Sequence, residues 1–248
     1  LAQIIDRPHR LVARLRIISM NMLSGSVSGR WGKAFGLPFP VFGWSDSFSM
    51  LETVADIRVG CRTVSFLSLR QLLRSLVDRD YRDAMARRLL LPDSRWVAAA
   101  VGLVSPGRPV DAFDAARFVP SLLTFMEASR RVTLTGADEA RLQAASRHLM
   151  AHSPWHQVTT VLLSEPVCGR RPIAADELLE AAAPDVVIAD ARHWQEEILV
   201  ERYLSFRHDG LALLAGRFFD AAAARSDAPS TAAQVTLTNY SPNKFNLS

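Results

Sequence analysis

The stretch Pro184-Asp185-Val186-Val187-Ile188-Ala189-Asp190, followed three residues on by Trp194-Gln195-Glu196-Glu197, decides the fold. A short apolar run between proline and aspartates, three of its residues β-branched, is strand-like. Being apolar at every position and not at every second one, it is buried on both faces, as strands of parallel sheets are. From Trp194 to Ser205 the spacing becomes helical, so the unit is a strand followed by a helix.

The same unit recurs on either side. Toward the N-terminus, Thr159–Leu163 precedes a helix over Ala174–Ala183, and Arg131–Thr135, ended by Gly136, precedes a strongly patterned helix over Asp138–Ala151. Leu89–Asp93 is a buried strand stopped by proline ahead of a helix over Trp96–Leu103. Arg62–Phe66 leads into Leu69–Leu90, one helix or two with a break near Asp80. Pro40–Gly43 reads as a short strand, Ser49–Val59 as a helix, and Asp114–Ser129 as a helix containing Pro120. Toward the C-terminus come a strand over Leu211–Ala215 and an alanine-rich helix over Phe218–Arg225. Such alternation predicts the α/β class: a Rossmann-like, mostly parallel sheet flanked by helices. The expected organisation is an N-terminal basic extension over 1–40, the α/β domain over 41–229 and a loose polar tail over 230–248. In the extension, Arg7, His9, Arg10, Arg14 and Arg16 alternate with apolar residues. That pattern suits a short amphipathic helix lying on an anionic membrane surface or packed on the domain.

Composition excludes several classes. At 49% hydrophobic and 22% charged residues the chain is globular, with no apolar run of membrane-spanning length and no secretory-signal layout. A cytoplasmic protein is expected, or one peripheral to the inner face of the plasma membrane. Of the 29 cationic side chains only Lys33 and Lys244 are lysines. Codon bias accounts for that, and so does phosphate recognition by arginine forks; composition alone does not separate them. Cys61 and Cys168 lack any metal-binding spacing, and the His148, His152, His156 series is interrupted by Pro154. No metal, cofactor or nucleic-acid partner is expected. Dinucleotide, NTPase and hydrolase glycine motifs are missing.

In parallel sheets ligands bind beyond the carboxyl ends of the strands, which directs attention to Asp93, Gly136, Asp190 and Gly216. Asp93 is either a helix N-cap or a general base for an acceptor hydroxyl. Arg108 sits in a Gly-Arg-Pro loop, either solvated or facing phosphate. Gln195 and Glu196 open a helix, where free N–H groups favour anions. Gly136 and Gly216 mark sharp turns or close backbone approach to a ligand.

The order of these pieces resembles the WecG/TagA/CpsF glycosyltransferases. Thr63 to Val101, with Asp80-Tyr81-Arg82 and then Leu90-Leu91-Pro92-Asp93, is similar to the family's Thr-x-Asn segment leading to Pro-Asp-Gly. Arg108-Pro-Val-Asp-Ala-Phe-Asp114 resembles its Arg-Val-x-Gly-x-Asp, and Arg131-Val-Thr-Leu-Thr-Gly136 its strand ending in Leu-Gly-Gly. Pro184-Asp185 with Gln195-Glu196 matches its Pro-Asp strand and Gln-Glu pair, and Leu214-Ala-Gly216-Arg-Phe-Phe219-Asp220 its Val-Gly-Gly-x-Phe-Asp. The resemblance implies inverting transfer of a hexose-type sugar from a nucleotide-sugar, usually UDP-linked, to a polyprenyl-diphosphate-linked acceptor. Such reactions build exopolysaccharide, capsule or wall polymer. It also implies that Asp93 is the general base and that Ser65 falls at a pocket threonine. Arg108 falls at the arginine meeting the diphosphate or sugar, and Gln195, beside Glu196, at a pocket glutamine. Relatives are often homo-oligomers. Leu67, Ser94, Ala112, Ala191 and His193 depart from the family pattern. The alternative is therefore a homologue that binds a partner without turnover.

Overall fold

The computed structural model describes residues 31–40, 43–104, 110–163 and 173–227. The amphipathic stretch near the N-terminus, Arg108, Cys168 and the tail over 230–248 lie outside them. The chain enters through a hairpin of β1 (Trp31–Ala34) and β2 (Leu37–Pro40). Phe35 and Gly36 at its tip both have positive φ, of 55° and 77°, as a two-residue turn between right-twisted strands requires. Then follow α1 (Trp44–Ile57), β3 (Cys61–Leu67), α2 (Leu69–Val77), α3 (Arg79–Met85), β4 (Leu89–Pro92), α4 (Arg95–Val104) and α5 (Ala115–Phe125). The second half comprises β5 (Arg131–Gly136), α6 (Glu139–His152), β6 (Gln157–Leu162), α7 (Ile173–Ala182), β7 (Val186–Ala189), α8 (Trp194–Arg207), β8 (Gly210–Leu214) and α9 (Gly216–Asp227).

The hairpin packs against the body of the domain. Ala34, Leu37 and Phe39 are buried with Leu67, Tyr81, Leu90 and Val97. Short strands with apolar residues on one face carry no helical period, and the glycines and prolines around them read as a break. The long helical stretch after β3 is two helices. Asp78 ends α2 through its N–H to the Arg74 carbonyl and starts α3 by accepting from the Tyr81 N–H, 3.0 Å away. Pro120 stands inside α5 without ending it.

Strands β3 to β8 form one sheet, in the order β4-β3-β8-β7-β5-β6, with every neighbour parallel. The chain lays down β3 and β4, crosses to the far side for β5 and β6, and returns so that β7 and β8 close the gap. Alternate side chains supply the two faces, as strand geometry dictates. Val186 and Ile188 of β7, with Val64, Phe66, Leu211 and Leu213, pack under α1, α5, α6 and α9. Val187 and Ala212 face α7 and α8, while Leu67 and Leu90 face the hairpin and α2 to α4. This is the Rossmann-like α/β architecture read from the alternation, with an all-parallel sheet.

Candidate active site

Asp93 follows β4 at the carboxyl edge of the sheet. Its N–H continues the ladder to the Leu67 carbonyl at 3.0 Å, and the Phe113 N–H closes on the Pro92 carbonyl at 2.6 Å. Asp93 does not cap α4. Ser94 does, its carbonyl accepting from the Ala98 N–H at 2.9 Å and its hydroxyl from the Val97 N–H at 3.5 Å. The Asp93 carboxylate is thereby left for another partner. That partner is Arg217, in the first turn of α9, whose Nη1 donates to Oδ2 at 3.0 Å. Because β3 lies between β4 and β8, the pair bridges the carboxyl end of β3. The aspartate side chain is 5% exposed and the arginine 60%. Burial pushes the Asp93 carboxyl above the usual carboxylate range, against the opposing pull of Ser94 and Arg217.

The remaining sequence candidates fall into distinct environments. Ser65, on β3, is fully buried, and its hydroxyl has no hydrogen-bond partner. Gln195 and Glu196 are exposed in the first turn of α8. Glu196 turns back to accept from the Arg192 N–H at 2.8 Å and the His193 N–H at 3.3 Å, which is a helix-capping task. The buried member of this trio is Glu197, bonded to Gln71 at 2.5 Å and to Arg88 at 2.8 Å.

Gly136 and Gly216 are needed for packing. A Cβ on Gly136 would stand 2.9 Å from the Asp190 Cβ, and one on Gly216 would stand 2.5 Å from the Ala191 carbonyl oxygen. The ends of β5 and β8 thus close on the turn after β7. Asp190 itself is clamped there, accepting from Arg141 Nε at 2.7 Å and Nη2 at 3.0 Å, while Arg141 Nη1 reaches Asp220 at 2.7 Å.

Beside the Asp93 end of the sheet, a groove of about 550 Å³ runs between α1, α4 and the segment 110–112. Trp44, Arg95, Gly102 and Asp111 line it, an aromatic face with charged groups at its rim. Trp44 is fixed by Nε1 donating to the Ala112 carbonyl at 3.1 Å and by stacking on Phe113. Among the described residues no three His, Cys, Asp or Glu side chains form a metal-binding group.

Sequence reasoning passed over Arg217, Arg141 and Glu197. One signal for Arg217 was available: a cation in a helix's first turn opposes the macrodipole and calls for a compensating anion.

In parallel α/β sheets ligands bind beyond the carboxyl ends of the strands, which is where Asp93 and Arg217 stand. The profile of the Glycosyl transferase WecG/TagA/CpsF family matches residues 33–238, and the chain belongs to that family. Its role is accordingly that of a glycosyltransferase in polymer biosynthesis, and membership implies a nucleotide-sugar donor and a sugar acceptor. The match begins within β1, consistent with the hairpin being part of the domain. A search of the curated proteins gives no match. Among the described residues no helix is long and apolar enough to cross a membrane.

Proposed function

We propose that this chain transfers a hexose-type sugar, with inversion, from a UDP-sugar to a polyprenyl-diphosphate-linked sugar in exopolysaccharide, capsule or wall-polymer assembly. The observation that carries the reading is Asp93: a carboxylate buried at a strand's carboxyl end, relieved of capping duty by Ser94 and raised in proton affinity by burial. A raised carboxyl group is the better proton acceptor for a hydroxyl in flight. In this reading the acceptor hydroxyl gives its proton to Asp93 while its oxygen attacks the anomeric carbon. The bond from that carbon to the diphosphate breaks on the opposite face, and the nucleoside diphosphate leaves. One base and one direct displacement give inversion. Arg217, with the Arg108 that the family resemblance assigns to the diphosphate, meets the charge that develops on the leaving group. The Trp44 groove offers an aromatic face and a carboxylate rim suited to a sugar ring.

Ser65 and Gln195 keep the pocket roles that the family resemblance gives them. The lipid acceptor calls for contact with the membrane surface, and the basic residues before the hairpin are the segment proposed for it. Titration with UDP and UDP-sugars, followed by transfer assays on a polyprenyl-diphosphate-linked sugar, tests the proposal. The expected result is nucleotide binding by the wild type and by Asp93→Asn, with transfer lowered by about 10²-fold or more in the variant. Binding of no nucleotide at all would favour the partner-binding homologue.

A further inference from the structure

Buried carboxylates at this sheet are held in two different ways. Asp190 is gripped bidentately by Arg141, whose side chain is 14% exposed and is itself tied to Asp220. Asp185 accepts from the Arg131 N–H at 2.8 Å and pairs with Arg58 and Arg131 side chains. Both arrangements use several contacts, as permanent structure does. Asp93 has, besides the Ser94 hydrogen bond, a single ionic contact: one guanidinium nitrogen of an arm that stands 60% exposed. A pair with one end in water is weak, and its arginine readily takes a stronger anion.

We propose that Arg217 is a donor-operated counter-ion: it neutralises Asp93 in the empty site and turns to the donor's diphosphate when a nucleotide-sugar binds, leaving Asp93 to act as the base. The proposal rests on the transferase reading above and adds a positioning residue and a binding order to it. A diphosphate carries more negative charge than one carboxylate and accepts the arginine fork at two oxygens, so the exchange favours the donor. Once the Arg217 side chain has turned away, its charge and its hydrogen bond no longer pull the Asp93 carboxyl down, while burial and the neighbouring Asp114 still push it up. Both changes strengthen Asp93 as a proton acceptor at the moment when an electrophile is present. The acceptor hydroxyl then gives its proton to Asp93, its oxygen bonds to the anomeric carbon, and the broken bond leaves its electron pair on the departing diphosphate. As the nucleoside diphosphate departs, Asp93 gives its proton to water and the Arg217 side chain returns to the carboxylate. The donor therefore binds before the acceptor.

The test is a double-mutant cycle on donor affinity, with a panel of UDP-sugars titrated against wild type, Asp93→Asn, Arg217→Ala and Asp93→Asn/Arg217→Ala, backed by Arg217→Lys and Asp93→Asn/Arg217→Lys. Neutralising Asp93 frees Arg217, so Asp93→Asn is expected to tighten binding by up to about fivefold, the exchange value of a half-exposed ion pair. The same substitution in the Arg217→Ala background is expected to leave affinity unchanged, and Arg217→Lys is expected to keep part of the coupling. Proton uptake on donor binding at mildly acidic pH is expected in the wild type and lost in Asp93→Asn and in Arg217→Ala. Equal tightening in both backgrounds, or none in either, would overturn the exchange while leaving the transferase reading intact. Failure of every protein in the cycle to bind a UDP-sugar would overturn the donor reading itself, and the exchange with it.

Discussion

Replacing Arg88 by methionine tests how α8, which carries Gln195 and Glu196, is held against the sheet. The Arg88 side chain is 0% exposed; Nη1 donates to Glu197 at 2.8 Å, while Nε and Nη2 reach Glu201 at 3.0 and 2.9 Å. The two carboxylates are 8% and 14% exposed, so removing the cation leaves two charges in a medium that solvates them poorly. Breaking a buried pair in this way costs about 3–5 kcal/mol. In a domain of this size that lowers Tm by roughly 6–20 °C. The pH dependence follows from Glu197. Burial holds its folded carboxyl above the ordinary 4.5, with Arg88 pulling it back. A carboxyl raised in the folded state favours folding in its protonated form, an advantage present below the unfolded value and lost as pH rises through the folded one. Loss of Arg88 removes the opposing pull, so the folded value climbs and the variant's deficit shrinks on acidification. Urea denaturation of both proteins at about pH 7 and about pH 5 measures this. A deficit under about 1 kcal/mol at neutral pH, or an equal deficit at both pH values, would refute the reasoning.

Ser65→Ala is expected to leave stability within about 0.5 kcal/mol, because the hydroxyl makes no hydrogen bond in the folded state, yet to weaken UDP-sugar binding. Unchanged titration curves would remove Ser65 from the donor site. Gly216→Ala drives a Cβ into the Ala191 carbonyl and is expected to cost about 1–3 kcal/mol. Gly102→Ala, in α4 with open space around it, is expected to stabilise by about 0.5–1 kcal/mol; thermal unfolding compares the two. His156 and His208 are both buried, and burial holds each below the ordinary 6.5. Their neutral forms support folding above that value, and the support fades as pH falls through the lowered folded values. Acid unfolding should therefore begin at lower pH in His156→Gln, and a midpoint unmoved by this change would count against it.

The sequence alone determined the class of the fold and the place to look for the site. A run such as Val186–Ala189, apolar at every position, states that a strand is covered on both faces, and the helical period after it states what covers one of them. Those are local signals, set by backbone period and by proline and glycine at the ends, and they put Asp93 at the end of β4 correctly. The hairpin over Trp31–Pro40 was illegible because two four-residue strands are too short to display a period. The tertiary structure alone decided the strand order, and with it the partners. Burial is non-directional: an apolar strand demands cover without naming its neighbour. Only the placement of β8 beside β3 brings Arg217 to Asp93 across 124 residues of chain, and only the closure of β5 and β8 on the turn after β7 turns Gly136 and Gly216 into packing residues. The same is true of the Gln195-Glu196-Glu197 trio. Three adjacent polar residues look alike in sequence, but the helix points one inward to Arg88 and leaves two at the surface, of which Glu196 caps the helix.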